Sequence, residues 1–131
     1  MTTPTPFRIS QASLIDAQAD LASICGLFGL TPTGALTARL TRTPAKTLHR
    51  IWGGNTVRHR HHLELVARFA REVSGHMFAD PAWSPERAAA MRCWLEEGEI
   101  EMNGSVRAPI EVLSDPDLLP RALASIEGST R

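Results

Sequence analysis

No apolar run in this 131-residue chain approaches the roughly 18 residues that a helix needs to cross a bilayer. Nothing at the start resembles a secretion signal. The first residues, MTTPTPFRI, are rich in threonine and proline and read as a loose arm. Cysteine is scarce: Cys25 and Cys93 form no C-x-x-C pair and sit beside apolar Ile24 and Trp94. That usage predicts two buried free thiols in a reducing cytoplasm, in a soluble protein with no membrane association. Catalytic signatures are also missing. There is no Gly-rich phosphate loop, no H-E-x-x-H pair and no nucleophile elbow, and neither cysteine is flanked by basic residues. The acidic run Glu96, Glu97, Glu99 and Glu101 reads as solvated surface. The prediction is a protein with no catalytic residue, no cofactor and no metal.

Strand signals are absent too, since no four-residue alternation stands beside β-branched residues. The spacing predicts an all-α chain. A first helix runs from about Ser10 to Phe28 on Leu14, Leu21, Cys25 and Phe28, and Gly29 stops it. Thr31-Pro32 opens a short second helix with Leu36 and Leu40 on one face. Thr43-Pro44 serves as cap and first residue of a third, Ala45 to Trp52, which Gly53-Gly54-Asn55 ends. A fourth helix spans about Arg58 to Met77, with Leu63, Val66, Ala70, Val73 and Met77 as its inward stripe. Ser84-Pro85-Glu86 starts a fifth, which ends near Glu97 at Gly98. Residues 99–107, with the Asn103-Gly104 turn signal, read as loop. A short helix Pro109–Leu113 follows, then a last one from Asp115-Pro116 to about Ile126, kinked or restarted at Pro120.

Charge sums to zero yet is segregated along the chain. From Thr31 to Glu72, eight Arg/Lys stand against two glutamates, a net of +6; from Val73 to Arg131, five arginines stand against ten carboxylates. A basic stretch with His49, His59, His61 and His62 inside it favours a polyanion or an acidic partner. The acidic half favours a different partner, or folds back on the basic one.

Two short helices joined by a three- or four-residue turn are the helix-turn-helix pattern, whose second helix enters the DNA major groove. Here the turn lies near Thr41-Arg42-Thr43. On the helix after Pro44, Ala45, Lys46, His49 and Arg50 can share one face while Leu48, Ile51 and Trp52 face inward. Arg50 can bond a guanine edge in bidentate fashion, and Lys46 can reach a base or a phosphate. Arg42, Arg58 and the hydroxyls of Thr43 and Thr47 would hold phosphates. An ordinary helical hairpin with a solvated basic face would show the same spacing.

His59 and His62, three apart, could face a metal together. A site needs three or four ligands, and no further His or Cys is placed nearby, so a solvated helix start touching phosphate is the expectation. Trp52 and Trp94 fall on apolar faces and are expected to anchor the core. Trp83, before a helix cap, is either a staple or a partner contact. Pro109, Ile110 and Leu113 either close a small subdomain or form the apolar centre of a contact surface.

The order of these pieces resembles a known family. Arg50-x-Trp52-x-Gly54 closes the helix-turn-helix; a long helix, Trp94-Leu95, a Gly-containing loop, Pro109-Ile110-Glu111-Val112-Leu113 and a last helix with Leu123, Ile126 and Gly128 follow. Over about residues 20–128 this is similar to the MbcA/ParS/Xre antitoxins, whose C-terminal domain neutralises RES-domain toxins. The resemblance implies a cytoplasmic homodimer that covers a toxin's NAD-consuming site and represses its own operon by binding operator DNA. It places a DNA-binding domain at residues 1–57 and a toxin-binding domain at 58–131. Toxin contacts would map to Asn103, Gly104, Arg107, Pro109, Ile110 and Arg121. Where the family carries a further Leu-Gly pair and an Asn after Trp-Leu, this chain has Glu-Glu-Gly-Glu-Ile-Glu. The alternatives are a plain helix-turn-helix regulator and an adaptor that has lost DNA affinity.

Overall fold

The computed structural model describes residues 6–54, 61–78, 84–102 and 104–128, with side chains from Ala17 to Glu127 among them. These residues form α1 (Pro6–Phe28), α2 (Ala35–Thr41), α3 (Ala45–Trp52), α4 (His61–Met77), α5 (Pro85–Glu97), β1 (Ile100–Met102), β2 (Ser105–Arg107), α6 (Pro109–Leu113) and α7 (Leu118–Gly128). The all-α expectation holds, with one small antiparallel hairpin added.

Local chemistry explains several helix ends. α1 stops where Gly29 takes φ +66° and the Leu30 N–H reaches back to the Cys25 carbonyl at 3.0 Å. This is the Schellman closure, which favours glycine because a left-handed residue with a Cβ is strained. The Ser84 hydroxyl caps α5 by accepting from the Arg87 N–H at 3.2 Å. At the start of α7 the Asp115 carboxylate accepts from the N–H groups of Asp117 (2.8 Å) and Leu118 (3.1 Å). Those two bonds hold its pKa below the ordinary carboxylate value.

Several expected boundaries shift. α1 begins at Pro6, inside the expected loose arm, at a position that suits proline's fixed φ. Thr31-Pro32 makes a turn closed by Gly34 N–H to Thr31 carbonyl (3.1 Å), and α2 starts only at Ala35. Pro120 is the third residue of α7, in the first turn, where its missing N–H has no helical partner to lose, so α7 is one helix rather than two. Residues 99–107 are not loop: Ile100 pairs with Arg107, Glu101 with Val106 and Met102 with Ser105. Gly104 at φ +83° makes the turn.

Packing centres on α1, which lies most extensively against α4 and then against α5 and α3, while α7 also packs on α4. One buried cluster takes Leu21, Ile24 and Phe28 from α1, Leu40 from α2, Leu48 and Ile51 from α3, and Val66 and Ala70 from α4. It continues without a break into Met91 and Leu95 of α5, Leu113 of α6 and Leu119 of α7. Residues on both sides of the expected 57/58 boundary therefore share one core.

Two side-chain expectations fail for geometric reasons. Cys25 is buried, and burial raises its pKa to about 11. Cys93 is exposed, because it stands two residues from both Met91 and Leu95 and so points away from the face that carries them. Trp52 is 46% exposed rather than a core anchor. It is the last residue of α3, and its carbonyl, not its ring, is tied to α1 by the Gln18 side-chain amide at 3.2 Å. Trp94 is half-buried and stacks on Phe69 with ring centroids 6.3 Å apart. Trp83 lies outside the described residues.

Candidate nucleic-acid interface and partner surface

The turn between α2 and α3 is built by threonines. Thr37 donates its hydroxyl to the Thr31 carbonyl (2.6 Å), Thr41 to the Thr37 carbonyl (2.7 Å) and Thr43 to the Thr41 carbonyl (3.0 Å), and all three are buried. Thr43 is thus corrected twice. Its hydroxyl neither caps α3 nor is free for a phosphate, because it is turned inward and already bonded. The residue that precedes α3 is Pro44, whose carbonyl accepts the Leu48 N–H at 3.0 Å.

Arg42 sits at φ +50°, the only non-glycine residue with positive φ among those described. Thr43 N–H to Ala38 carbonyl (3.1 Å) and Arg42 N–H to Arg39 carbonyl (3.3 Å) close α2 as a second Schellman motif. The Arg42 guanidinium donates to the Ser114 carbonyl at 3.2 Å, so its side chain reaches the end of α6.

α3 presents the arrangement its spacing predicts except at Trp52, which is exposed. Leu48 and Ile51 are fully buried, while Lys46, His49 and Arg50 are exposed. None of these three side chains has a hydrogen-bond or ion-pair partner among the described residues. Thr47 is half-buried, and Arg58 lies outside the described residues. The Arg39 side chain, exposed on α2, likewise has no partner among them. The site residues drawn from the sequence omit it, although it belongs to the same basic run.

The wider basic stretch is partly neutralised within the fold. Arg71 of α4 bonds Asp20 of α1 at 2.8 Å, and Arg68 bonds Glu127 of α7 at 2.8 Å. Among the described residues of this stretch, the side chains of Arg39, Lys46 and Arg50 on α2 and α3 have no such carboxylate partner.

His62 has a structural role. Its Nε2 lies 2.7 Å from the Leu113 carbonyl and 3.1 Å from the Leu40 carbonyl, joining the C-terminal ends of α6 and α2. Burial lowers its pKa, while the two carbonyls pull the other way. With Nε2 held as an N–H between the two carbonyls, only Nδ1 keeps a lone pair. The described residues contain no cluster of three metal-ligating side chains, and His59 lies outside them.

In the C-terminal part, Gly104, Arg107 and Arg121 are exposed as expected of contact residues, and Asn103 lies outside the described set. Pro109 is buried, which corrects its assignment as a contact. It forms the first turn of α6 against the core. Ile110 is half-buried and packs on the same cluster. The hairpin instead exposes Val106, at 58%. Between α4, α5, β1 and α7 lies a groove of about 290 Å³, floored by Phe69, Val73, Trp94, Ala122 and Ile126 and edged by residues 99–102. Sequence reasoning missed both hairpin and groove. The available signal was Asn-Gly between Ile-x-Met and Val106.

Comparison with protein-family models, with curated proteins and with solved structures finds no match to this chain.

Proposed function

We propose that this protein is a DNA-binding regulator of the antitoxin type, contacting duplex DNA through α3 and a protein partner through the hairpin and α7. The observation that carries the DNA half is the division of α3, whose Leu48 and Ile51 are locked in the core while Lys46, His49 and Arg50 stand in solvent without a partner among the described residues. An inserted helix needs that combination: rigid anchoring behind, and unpaired donors in front. Arg50 is the base-reading candidate, and Lys46 and Arg39 are the phosphate candidates.

The resemblance to the MbcA/ParS/Xre antitoxins extends the reading. The partner would be a RES-domain toxin, neutralised by covering its NAD-consuming site, and the protein would act as a homodimer that represses its own operon. Two measurements test it. Binding to upstream DNA should weaken steeply with added salt and exceed binding to random duplex. A RES-type protein encoded beside this chain should lose its toxicity and co-purify with it; persistent toxicity without co-purification rejects the antitoxin reading.

A second reading is an adaptor without DNA affinity. It is favoured by the inward bonding of the buried Thr43 hydroxyl, which removes one expected phosphate contact. Equal, weak binding to upstream and random DNA would select it.

A further inference from the structure

β1 is a short edge strand with a split character. Glu99 and Glu101 are exposed, whereas Ile100 and Met102 are half-buried and pack on the core. β2 covers one edge of β1, and among the described residues no strand covers the other. In a hairpin with a two-residue turn the residues flanking the turn form a hydrogen-bonded pair, and such pairs alternate along the ladder. Met102–Ser105 and Ile100–Arg107 are therefore the bonded pairs, and the N–H and C=O of Glu101 point out from the free edge. Glu101 also lines the groove floored by Phe69, Trp94 and Ile126. Neither Glu99 nor Glu101 has an ion-pair partner among the described residues.

We infer that this edge is a strand-addition site for an extended polypeptide segment that alternates apolar and cationic residues. This inference rests on the partner half of the proposed function and specifies how the partner is held. An added strand aligns its side chains with the faces of β1. On the groove side it sets apolar residues beside Ile100 and Met102. On the other face of the strand it sets arginine or lysine across from Glu99 and Glu101, which also border the groove, where opposite charges on neighbouring strands attract. Main-chain bonds to Glu101 supply the attachment; the groove and the carboxylates supply the selection.

The test uses the full chain and synthetic seven-residue peptides, with binding read by calorimetry. The probe alternates arginine and isoleucine; the control has the same composition ordered with helical spacing. The alternating peptide is expected to bind at least tenfold more tightly than the control. N-methylation of its central backbone nitrogens should abolish binding, and the E99Q/E101Q double variant should weaken it about tenfold. Equal binding of the two peptides, or indifference to N-methylation, overturns strand addition and shows mere charge attraction. No binding at millimolar peptide overturns it too. If a cognate partner still co-purifies in that case, the partner reading survives and only this mode of attachment fails.

Discussion

His62 Nε2 stands 2.7 Å from the Leu113 carbonyl oxygen while lying 3.1 Å from that of Leu40, so one imidazole ties the end of α6 to the end of α2. Arg42 adds a parallel tie to Ser114, at 3.2 Å. The turn before α3 and the segment after the hairpin are held by the same few carbonyls.

Burial lowers the His62 pKa below its ordinary 6.5, so the folded state prefers the neutral ring. The unfolded chain takes up the proton first as pH falls, and the stabilising contribution is present above 6.5 and lost below it. Thermal melts between pH 8 and pH 5 should show this decline. His62→Gln should flatten it, and His62→Ala should cost about 1–2 kcal/mol from the lost bonds. A pH profile unchanged by His62→Gln would refute the assignment.

Arg50→Ala is expected to relax sequence preference, because a bidentate base contact is worth about 1–3 kcal/mol of discrimination. Lys46→Ala and Arg39→Ala should weaken all sequences alike, each lowering the salt slope by about 1. Thr43→Val should leave the salt slope unchanged while lowering stability by about 1 kcal/mol, since its hydroxyl bonds the Thr41 carbonyl. Fluorescence anisotropy against salt, with parallel melts, checks all four variants.

Arg42 combines a left-handed backbone with a side-chain bond to Ser114. Arg42→Ala keeps the strain and loses the bond; Arg42→Gly loses both. The glycine variant should therefore be more stable than the alanine variant by about 1 kcal/mol. Urea titration measures the difference. Equal midpoints would show that the backbone at this position is unstrained.

Gly98 closes α5 with its N–H 2.7 Å from the Trp94 carbonyl. A Cβ there would stand 2.5 Å from that carbonyl oxygen and 2.6 Å from Trp94 Cδ1. Gly98→Ala must displace the ring that stacks on Phe69, and should destabilise the fold by about 1–3 kcal/mol. A shifted tryptophan emission with an unchanged helical signal would locate the disturbance at the groove.

Much of the fold was legible in the sequence where the signal is local. The helices at Ala45–Trp52 and Pro109–Leu113 appear as expected, and the Ser84 cap and the Gly29 stop do what those residue types do at helix ends. The hairpin was hidden because its strands are three residues long, too short for an alternating pattern to stand out from noise. Trp52 and Cys93 were misplaced because an apolar neighbour in sequence is not a neighbour in space. Pro109 was read as a contact, but α6 turns it inward.

The sequence by itself determined which segments are helical and that positive charge gathers early in the chain, because caps, periodicity and composition act over a few residues. Only the tertiary structure decided which of those charges remain unpaired. Arg68 and Arg71 meet carboxylates from distant helices, 59 and 51 residues away, whereas Lys46 and Arg50 meet none among the described residues. These ion pairs depend on distances between elements, and those exist only once the common core has brought α1, α4 and α7 together.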